Sequence, residues 1–381
     1  MKILCNDIGT GTQDIYLFDS RQDIENGYKM ILPSPTMMVN RKLKAAAHEG
    51  SSVLLTGVTM GGGPSQWGGE EIIRRGGKVF ATPEAARTFN DDLEKVAEAG
   101  IVIVSSDEGE RLPAAVIRVE MRDFDFGSIK KAFNLFGVGL TDLDALAVAV
   151  FDHGAAPSDV SDRKFRFDYL DERIRQENRL SAFAYTGDAI PASMTRLRSV
   201  AVSARDIPIP LVVMDTAPAA VLGAQFDHQV KSLPRKIIAN IGNFHTLAFR
   251  LGPDGIEGLF EHHTGLIDRQ KIEGYLSQLA DGSLTNSQIF DGHGHGALLY
   301  SDEKYQITEE PFGVVVTGPR RNLMTGSRLR PYFPAPFGDM MITGCFGLLS
   351  AVGDLIPNLK EEIGSSLNER SMSQTAPWDL R

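Results

Sequence analysis

The sequence predicts an α/β protein made of two duplicated lobes around a central cleft. The main reason is an internal repeat. Two segments each consist of an apolar strand, an Ile-Gly turn and a second apolar strand: Met1–Ser20 (MKILCNDIGTGTQDIYLFDS) and Lys236–Leu251 (KIIANIGNFHTLAFRL). Asp7 then corresponds to Asn240, at a spacing of 240 − 7 = 233 residues. The second reason is that both halves continue with alternating strand and helix patterns, which indicates layered α/β lobes.

The length and charge agree with this prediction. A chain of 381 residues, of which 42% are hydrophobic, can fill two cores. Its net charge of −10 creates no field that attracts nucleic acid or anionic lipid, so we expect neither as a partner. The chain has no apolar leader and no run of about 18 apolar residues, so we expect a cytoplasmic protein without a membrane partner.

In the first half, helix and strand patterns follow the hairpin in turn. A helix at Thr36–Glu49 precedes a buried strand at Ser52–Thr59, and MGGGP at Met60–Pro64 is a loop whose backbone can approach a ligand closely. Thr82-Pro83-Glu84 opens a predicted helix over Ala81–Ala99. Further predicted elements are strands at Val102–Val104, Ala114–Val119, Ala145–Phe151 and Pro208–Met214, and helices at Ser193–Ala204 and Thr216–Gln225.

The second half repeats this order in shorter form. After the hairpin we expect a strand at Gly255–His262, a helix at Asp268–Ala280 and strands at Gly313–Thr317 and Met340–Thr343, the last leading into a helix at Gly344–Val352. We therefore place the first lobe at 1–229, with a charged insertion around 155–190. The second lobe is placed at 230–358, and a polar tail at 359–381.

A hairpin turn rich in Gly and Thr offers backbone N–H groups to an anion, and a carboxylate at the end of a strand can hold a divalent cation. Two such turns facing each other would clamp the phosphates of a nucleotide. At this point the sequence resembles the actin-like ATPase superfamily, which includes sugar kinases, heat-shock chaperone ATPases and hydantoinase-type enzymes. Five segments match in order: Asp7–Thr12, Val212–Gly223, Asn240–Thr246, Val314–Asn322 and Ile342–Ala351.

The resemblance implies two ribonuclease-H-like lobes with ATP and Mg²⁺ between them, the metal near Asp7. It also implies a small-molecule substrate, and it leaves an oligomer open. Asp7, Asp215 and His245 are the implied catalytic residues. The nucleotide would be held by two phosphate turns and one adenosine turn. The first phosphate turn comprises Gly9, Thr10, Gly11, Thr12 and Gln13, and the second comprises Asn240, Gly242, Asn243 and Thr246. The adenosine turn comprises Thr317 and Gly318.

Asn240 departs from the superfamily pattern, which usually has a carboxylate at this position. An amide can hydrogen-bond a metal-bound water but cannot neutralise charge or act as a base. Two hypotheses follow: an ATP-dependent phosphotransferase or ATPase, and a nucleotide-gated binding protein with little turnover. Asn240 favours the second, whereas the Gly-rich loops at Gly61–Gly63 and Gly292–Gly296 favour the first.

Histidines suggest a third hypothesis, a metal-dependent hydrolase. Glu261-His262-His263 and Asp291-Gly292-His293-Gly294-His295-Gly296 contain N and O donors, but their spacing is not that of a known metal motif. The sequence does not tell which of His262, His263, His293 and His295 would bind an ion.

The whole chain is also similar to a family sometimes labelled as pyruvate formate-lyase activating proteins. A radical activating enzyme of that type needs three closely spaced cysteines on an iron–sulfur cluster. This sequence has two, Cys5 and Cys345, separated by 345 − 5 = 340 residues. We therefore do not expect that chemistry.

Overall fold

A computed structural model describes residues 1–307 and 311–368 of the chain. Within these residues the strands are β1 Lys2–Ile8, β2 Thr12–Asp19, β3 Tyr28–Pro33, β4 Val53–Gly57, β5 Val79–Ala81, β6 Ile101–Ile103, β7 Ile117–Met121, β8 Ala145–Val150, β9 Ala184–Thr186, β10 Leu211–Asp215, β11 Lys236–Ile241, β12 His245–Gly252, β13 Gly255–His263, β14 Gly296–Leu299, β15 Val314–Thr317 and β16 Pro331–Tyr332.

The α-helices of the same residues lie between these strands and after them. They are α1 Pro35–His48, α2 Gly63–Arg74, α3 Pro83–Ala86, α4 Leu93–Glu98, α5 Ser106–Glu110, α6 Phe126–Leu135, α7 Asp162–Gln176, α8 Thr195–Ala204, α9 Thr216–Ala224, α10 His228–Lys231, α11 Arg269–Asp281, α12 Asn286–Asp291, α13 Thr343–Leu355 and α14 Lys360–Leu367. None of the described helices is both long enough and apolar enough to cross a bilayer.

Two six-stranded sheets share one topology, which confirms the predicted duplication. Their strand orders are β3-β2-β1-β8-β10-β9 and β13-β12-β11-β15-β16 with β14 added beside β13. Each sheet contains an antiparallel hairpin, β1/β2 or β11/β12. The second strand of the hairpin pairs with a third antiparallel strand, β3 or β13, and the first strand pairs with a parallel strand, β8 or β15. These are duplicated ribonuclease-H-like domains that share five strands, and each has one further strand, β9 or β14.

The helices cover both faces of each sheet. On the first sheet, α13 packs on one face and α6 and α8 on the other. On the second sheet, α7 and α9 pack on one face and α11 on the other. Each face encloses a separate buried core of aliphatic and aromatic side chains, as the layered α/β architecture requires.

Two helices cross at the junction of the sheets through glycines. A methyl group on Gly223 of α9 would overlap the backbone of Thr343, and one on Gly347 of α13 would overlap that of Ala219. The absence of Cβ atoms therefore lets α9 and α13 pack backbone to backbone. α13 packs on β1 and β8 of the first sheet, and the placement of the second lobe at 230–358 stays a prediction.

The largest feature that the sequence did not predict is a third sheet, β6-β5-β4-β7, whose strands are all parallel. It has its own core, to which α1 and α2 contribute Val39, Leu43 and Ile72. The predicted helix over 81–99 is here a strand end followed by α3 and α4, since Asp92 caps a new helix by accepting from the N–H of Glu94.

Two other expectations differ from the structure. The strand expected at Met340–Thr343 is a turn at the start of α13, since a short apolar run does not distinguish a strand from a buried helix end. Within the expected polar tail, α14 buries Ile363 and Leu367 against α13. The remainder of that tail, 369–381, lies outside the described residues.

Candidate functional site

The two Ile-Gly turns have the same backbone geometry. The N–H of Gly9 donates to the carbonyl of Thr12 at 2.9 Å, and the N–H of Gly242 donates to the carbonyl of His245 at 2.8 Å. His245 is thus the counterpart of Thr12, because 12 + 233 = 245. The turns face each other closely enough that a methyl group on Gly11 would lie 3.0 Å from Nδ2 of Asn243.

A cavity of about 400 Å³ lies between these turns. Most of the residues predicted to bind nucleotide line it, together with the predicted catalytic residues Asp7 and His245. They are Gly9, Thr10, Gly11, Thr12, Asn240, Gly242, Asn243, Thr317 and Gly318. This volume is in the range of pockets that bury a small organic ligand.

Three predicted residues do not line the cavity. Gln13 and Thr246 are buried on the other face of their strands, where Gln13 donates to the carbonyl of Pro33 and Thr246 bonds the hydroxyl of Thr264. Successive strand residues point to opposite faces, so Thr12 and His245 lie toward the cavity and their successors do not. Asp215 is buried behind it, beside Arg166.

Three carboxylates gather near one edge of the first sheet. β1, β8 and β10 are parallel, so Asp7 and Asp215 come to the same edge at their carboxyl ends. Asp14 is paired with Asp7 across the β1/β2 hairpin. Thr216 donates to Oδ1 of Asp7 at 2.5 Å, whereas Oδ1 of Asp14 has no hydrogen-bond partner in the described residues.

Burial and the repulsion between neighbouring carboxylates disfavour the ionised forms of Asp7 and Asp14. Burial raises the pKa of Asp7 to about 6, against the hydrogen bond from Thr216, and Asp215 adds to the rise. Burial raises the pKa of Asp14 to about 8, and the charge of Asp7 adds to it. A cation bound here would relieve both effects.

The predicted adenosine turn lies directly against the second Ile-Gly turn. β15 pairs with β11 so that Thr317 faces Asn240, and the N–H of Arg320 donates to the carbonyl of Ile241 at 2.9 Å. Gly318 has φ 96°, and a methyl group there would lie 2.5 Å from the carbonyl oxygen of Ile241. Glycine is therefore required at this turn both by conformation and by space.

A further part of the cavity wall was predicted from the sequence only at its Gly-rich loop. The loop before α2, Gly61–Gly63, is held by Asp123, which accepts from the N–H of Gly61 and pairs with Arg196 at 2.7 Å. Arg87 and Arg196 line the cavity on this side. Only the Gly-rich loop had a sequence signal, because Asp123 and Arg196 are brought together by two separate elements.

A histidine cluster lies at the end of the second sheet. His245 begins β12, His263 ends β13 directly opposite it, and His295 immediately precedes β14. One nitrogen from each of these three rings lies within 4.8 Å of the other two. His262 points to the other sheet face, where it stacks on Tyr275, because it is the neighbour of His263 in a strand. His293 is an exposed turn residue with φ 68°.

Glu261 lies beneath this cluster and is fully buried. Its Oε1 lies 3.0 Å from Nδ1 of His245 and 3.7 Å from Nδ1 of His295. Burial lowers the pKa of His263 to about 4 and that of His295 to about 3, so both rings are neutral near pH 7. A neutral imidazole has the nitrogen lone pair that a metal ion binds.

Arg166 connects this cluster to the first sheet. It lies on α7, is fully buried, and contacts Oδ2 of Asp215 at 2.5 Å and Oε2 of Glu261 at 3.2 Å. Burial opposes the charge of Glu261, but Arg166 and the neighbouring histidines together outweigh burial and hold the pKa of that carboxyl well below its usual range. Burial raises the pKa of Asp215 to about 6 despite Arg166.

Comparison with known proteins identifies a family. Residues 60–323 match the model of a family described as "Putative pyruvate format-lyase activating enzyme (DUF1786)", which is more than half of the chain. No curated protein matches the sequence significantly.

Among solved structures, the chain is similar to the activator of the 2-hydroxyisocaproyl-CoA dehydratase from Clostridium difficile with bound ADPNP. The identity is 10% over 99% of this chain and 100% of that one, with a TM-score of 0.34. A nucleotide-free acetone carboxylase is also similar, with 10% identity over 99% of this chain and 78% of that one and a TM-score of 0.30. The fold assignment rests on the strand order of the two sheets.

Proposed function

We propose that this chain, which belongs to the DUF1786 family, binds ATP with Mg²⁺ in the cleft between its two duplicated domains. We further propose that it is an ATP-dependent phosphotransferase or ATPase acting on a small substrate. The observation that carries the proposal is the pair of matching turns around Gly9 and Gly242, which face each other across the cavity.

The turns supply what a chain of phosphates needs. Their backbone N–H groups and the Thr10, Thr12 and Asn243 side chains lie on two sides of one cavity. Such N–H groups stabilise phosphate oxygens without adding a full charge. The turn at Gly318 provides a flat backbone surface beside the second phosphate turn, where the nucleoside would lie.

Asp7 and Asp14 are the groups that fit a magnesium ion. Both are carboxylates, which Mg²⁺ prefers, and burial has made both costly to keep charged without a cation. Bound Mg²⁺ would neutralise phosphate charge during transfer. Thr216 would fix the orientation of Asp7 through its 2.5 Å hydrogen bond.

The loop at Gly61–Gly63, with Arg87 and Arg196, forms the wall where the small substrate would bind. Trp67 of α2 contacts Phe244 of the second phosphate turn edge to face, with ring centroids 5.9 Å apart. This contact joins the third sheet to the second lobe at the mouth of the cleft. Nucleotide binding between the turns would thus change the access of a substrate to the wall formed by Gly61–Gly63, Arg87 and Arg196.

Asn240 favours a second candidate, a nucleotide-gated binding protein with little turnover. It lies at the end of β11, where Asp7 lies at the end of β1, but it brings no charge to the cleft. Among the described residues that line the cavity, all the carboxylates then come from the first lobe, which weakens the case for fast phosphate chemistry.

The activity in the family description does not fit the cysteines of this chain. Cys5 and Cys345 are both fully buried in the core between the first sheet and α13. Burial raises the pKa of each thiol well above its usual range, which opposes the thiolate form that an iron–sulfur cluster needs. We therefore derive no radical chemistry for this protein.

The test is calorimetric titration of the full chain with ATP at saturating Mg²⁺. We expect one site per chain. At a hundredfold excess over Kd, ATP should raise the free energy of unfolding by about 2.7 kcal/mol. Asp7→Asn should remove the magnesium-dependent part of binding, whereas Asp188→Asn, on an exposed turn, should leave it unchanged.

Absence of nucleotide binding in the wild-type protein would overturn the proposal. Equal magnesium dependence in the wild type and Asp7→Asn would show that Asp7 does not hold the ion. Binding with no measurable hydrolysis or transfer would leave the gated binding protein as the function.

A further inference from the structure

We propose that His245, His263 and His295 form a binding site for a divalent transition-metal ion of the zinc class, separate from the carboxylates that face the nucleotide. The inference does not depend on the proposed function, because the three ligands lie on β12, on β13 and directly before β14, and the site can be tested without nucleotide.

Strand pairing holds the three rings together. β12, β13 and β14 are neighbours, and at the same end of the sheet His245 begins β12, His263 ends β13 and His295 immediately precedes β14. His245 and His263 are directly paired, and the backbone N–H of His295 donates to the carbonyl of Glu261 at 2.9 Å. The ring nitrogens are thus positioned by a sheet, which holds ligands more precisely than loops do.

The distances suit a tetrahedral or five-coordinate ion. Zinc–nitrogen bonds of about 2.0–2.1 Å place ligand nitrogens about 3.3 Å apart. The three nitrogens here already lie within 4.8 Å of one another, so small ring rotations are sufficient to close the site. Three protein ligands leave a further position open, as in catalytic zinc sites.

The surroundings of the rings also favour a cation. Glu261 is fully buried, and its Oε1 and the Nδ1 atoms of His245 and His295 are close but lack well-aligned hydrogen bonds in the described part of the chain. Buried polar atoms without such partners are costly. A metal ion would engage the nitrogens, and Glu261, whose Oε1 lies 3.0 Å from Nδ1 of His245, would balance its charge.

The donor set separates this site from the magnesium site. Imidazole nitrogens suit zinc, cobalt, nickel and iron, whereas Mg²⁺ prefers oxygen ligands. His245 lies both in this cluster and on the wall of the cavity, so the open position of the ion would face the cleft. Phe151 stacks on His245 with ring centroids 4.2 Å apart and fixes the orientation of that ring.

The test is titration of the metal-free full chain with Zn²⁺ in the absence of nucleotide, followed by metal analysis after dialysis. We expect one Zn²⁺ per chain. His263→Asn should weaken its binding by more than about 100-fold, since even the loss of an outer-shell partner costs about 10- to 100-fold. His293→Asn is the matched control, because His293 is exposed and asparagine tolerates its positive φ.

A second measurement covers the case in which His263→Asn fails to fold. The visible spectrum of the Co²⁺-loaded wild-type protein should show the intense bands of four- or five-coordinate cobalt with nitrogen ligands. A weak octahedral spectrum, an absence of stoichiometric Zn²⁺, or equal loss in His263→Asn and His293→Asn would overturn the site.

Asp7→Asn separates this inference from the proposed function. Retention of Zn²⁺ in that variant supports the histidine site, whatever happens to ATP binding. Loss of Zn²⁺ in that variant, with full retention in His263→Asn, would place the ion at the carboxylates and overturn the inference.

Discussion

Gly11 and Asn243, which lie 232 residues apart in the chain (243 − 11), meet across the cleft, and a methyl group on Gly11 would lie 3.0 Å from Nδ2 of Asn243. The two turns therefore approach each other closely at a position where one of them carries glycine. The pairing is a direct consequence of the duplication, since each turn is closed by the same backbone hydrogen bond.

Gly11→Val should weaken ATP binding by about tenfold or more, which corresponds to about 1.4 kcal/mol. The branched side chain would occupy the space between the turns while the strands on either side remain intact. Calorimetric titration measures the effect. Gly139→Val, at an exposed position with no atom within 4 Å of the added Cβ, is the control and should bind ATP as the wild type does.

Asn240→Asp should raise basal ATP hydrolysis by about tenfold and change its dependence on Mg²⁺, since a second carboxylate would face the first across the cleft. Single-turnover hydrolysis at several Mg²⁺ concentrations measures both effects. If Asn240 serves only the packing against Gly318, the two proteins will hydrolyse ATP at indistinguishable rates.

Asp14→Asn should stabilise the protein at pH 8 by at least about 1 kcal/mol and should have little effect near pH 4. The pKa of Asp14 is raised to about 8 in the folded state, from about 3.9 in the unfolded state. The folded state thus binds the extra proton between these values, and the stability due to this group falls as the pH rises through them. Urea unfolding at both pH values measures the difference, and saturating Mg²⁺ should reduce it.

Arg166→Met should destabilise the protein by about 3–5 kcal/mol, because it leaves Asp215 and Glu261 buried without their shared cation. Arg175→Met is the control on the same helix: its ion pair with Asp171 is exposed and should contribute less than about 1 kcal/mol. Similar effects of the two substitutions on the free energy of unfolding would contradict a structural role for the Arg166 pairs.

Gly347→Ala should destabilise the protein by about 3 kcal/mol or more, because the added methyl group would overlap the backbone of Ala219 on the crossing helix α9. Gly274→Ala, in the interior of α11 with no atom within 4 Å of the added Cβ, should instead stabilise by about 0.5–1 kcal/mol. Thermal unfolding of the two variants should therefore shift in opposite directions.

The sequence by itself determined the duplication, the two Ile-Gly turns and the order of most strands and helices. These features are local: the hydrogen bond from Gly9 to Thr12 closes within four residues, and its copy does the same at Gly242. Alternation along a strand is also local, and it predicts that His262 and His263 face opposite sides of a sheet. Hence the two Ile-Gly turns could be located from the printed residues alone.

Only the tertiary structure decided the rest, because the deciding contacts join residues far apart in the chain. Which of the histidines meet depends on the pairing of β12, β13 and β14, and His245 joins the cluster from a turn assigned to phosphate binding. The burial of Arg166 between Asp215 and Glu261 requires a charged helix to cross from one sheet to the other. α13 packs on the first sheet because Gly223 and Gly347 allow it to cross α9, a contact that no local pattern encodes.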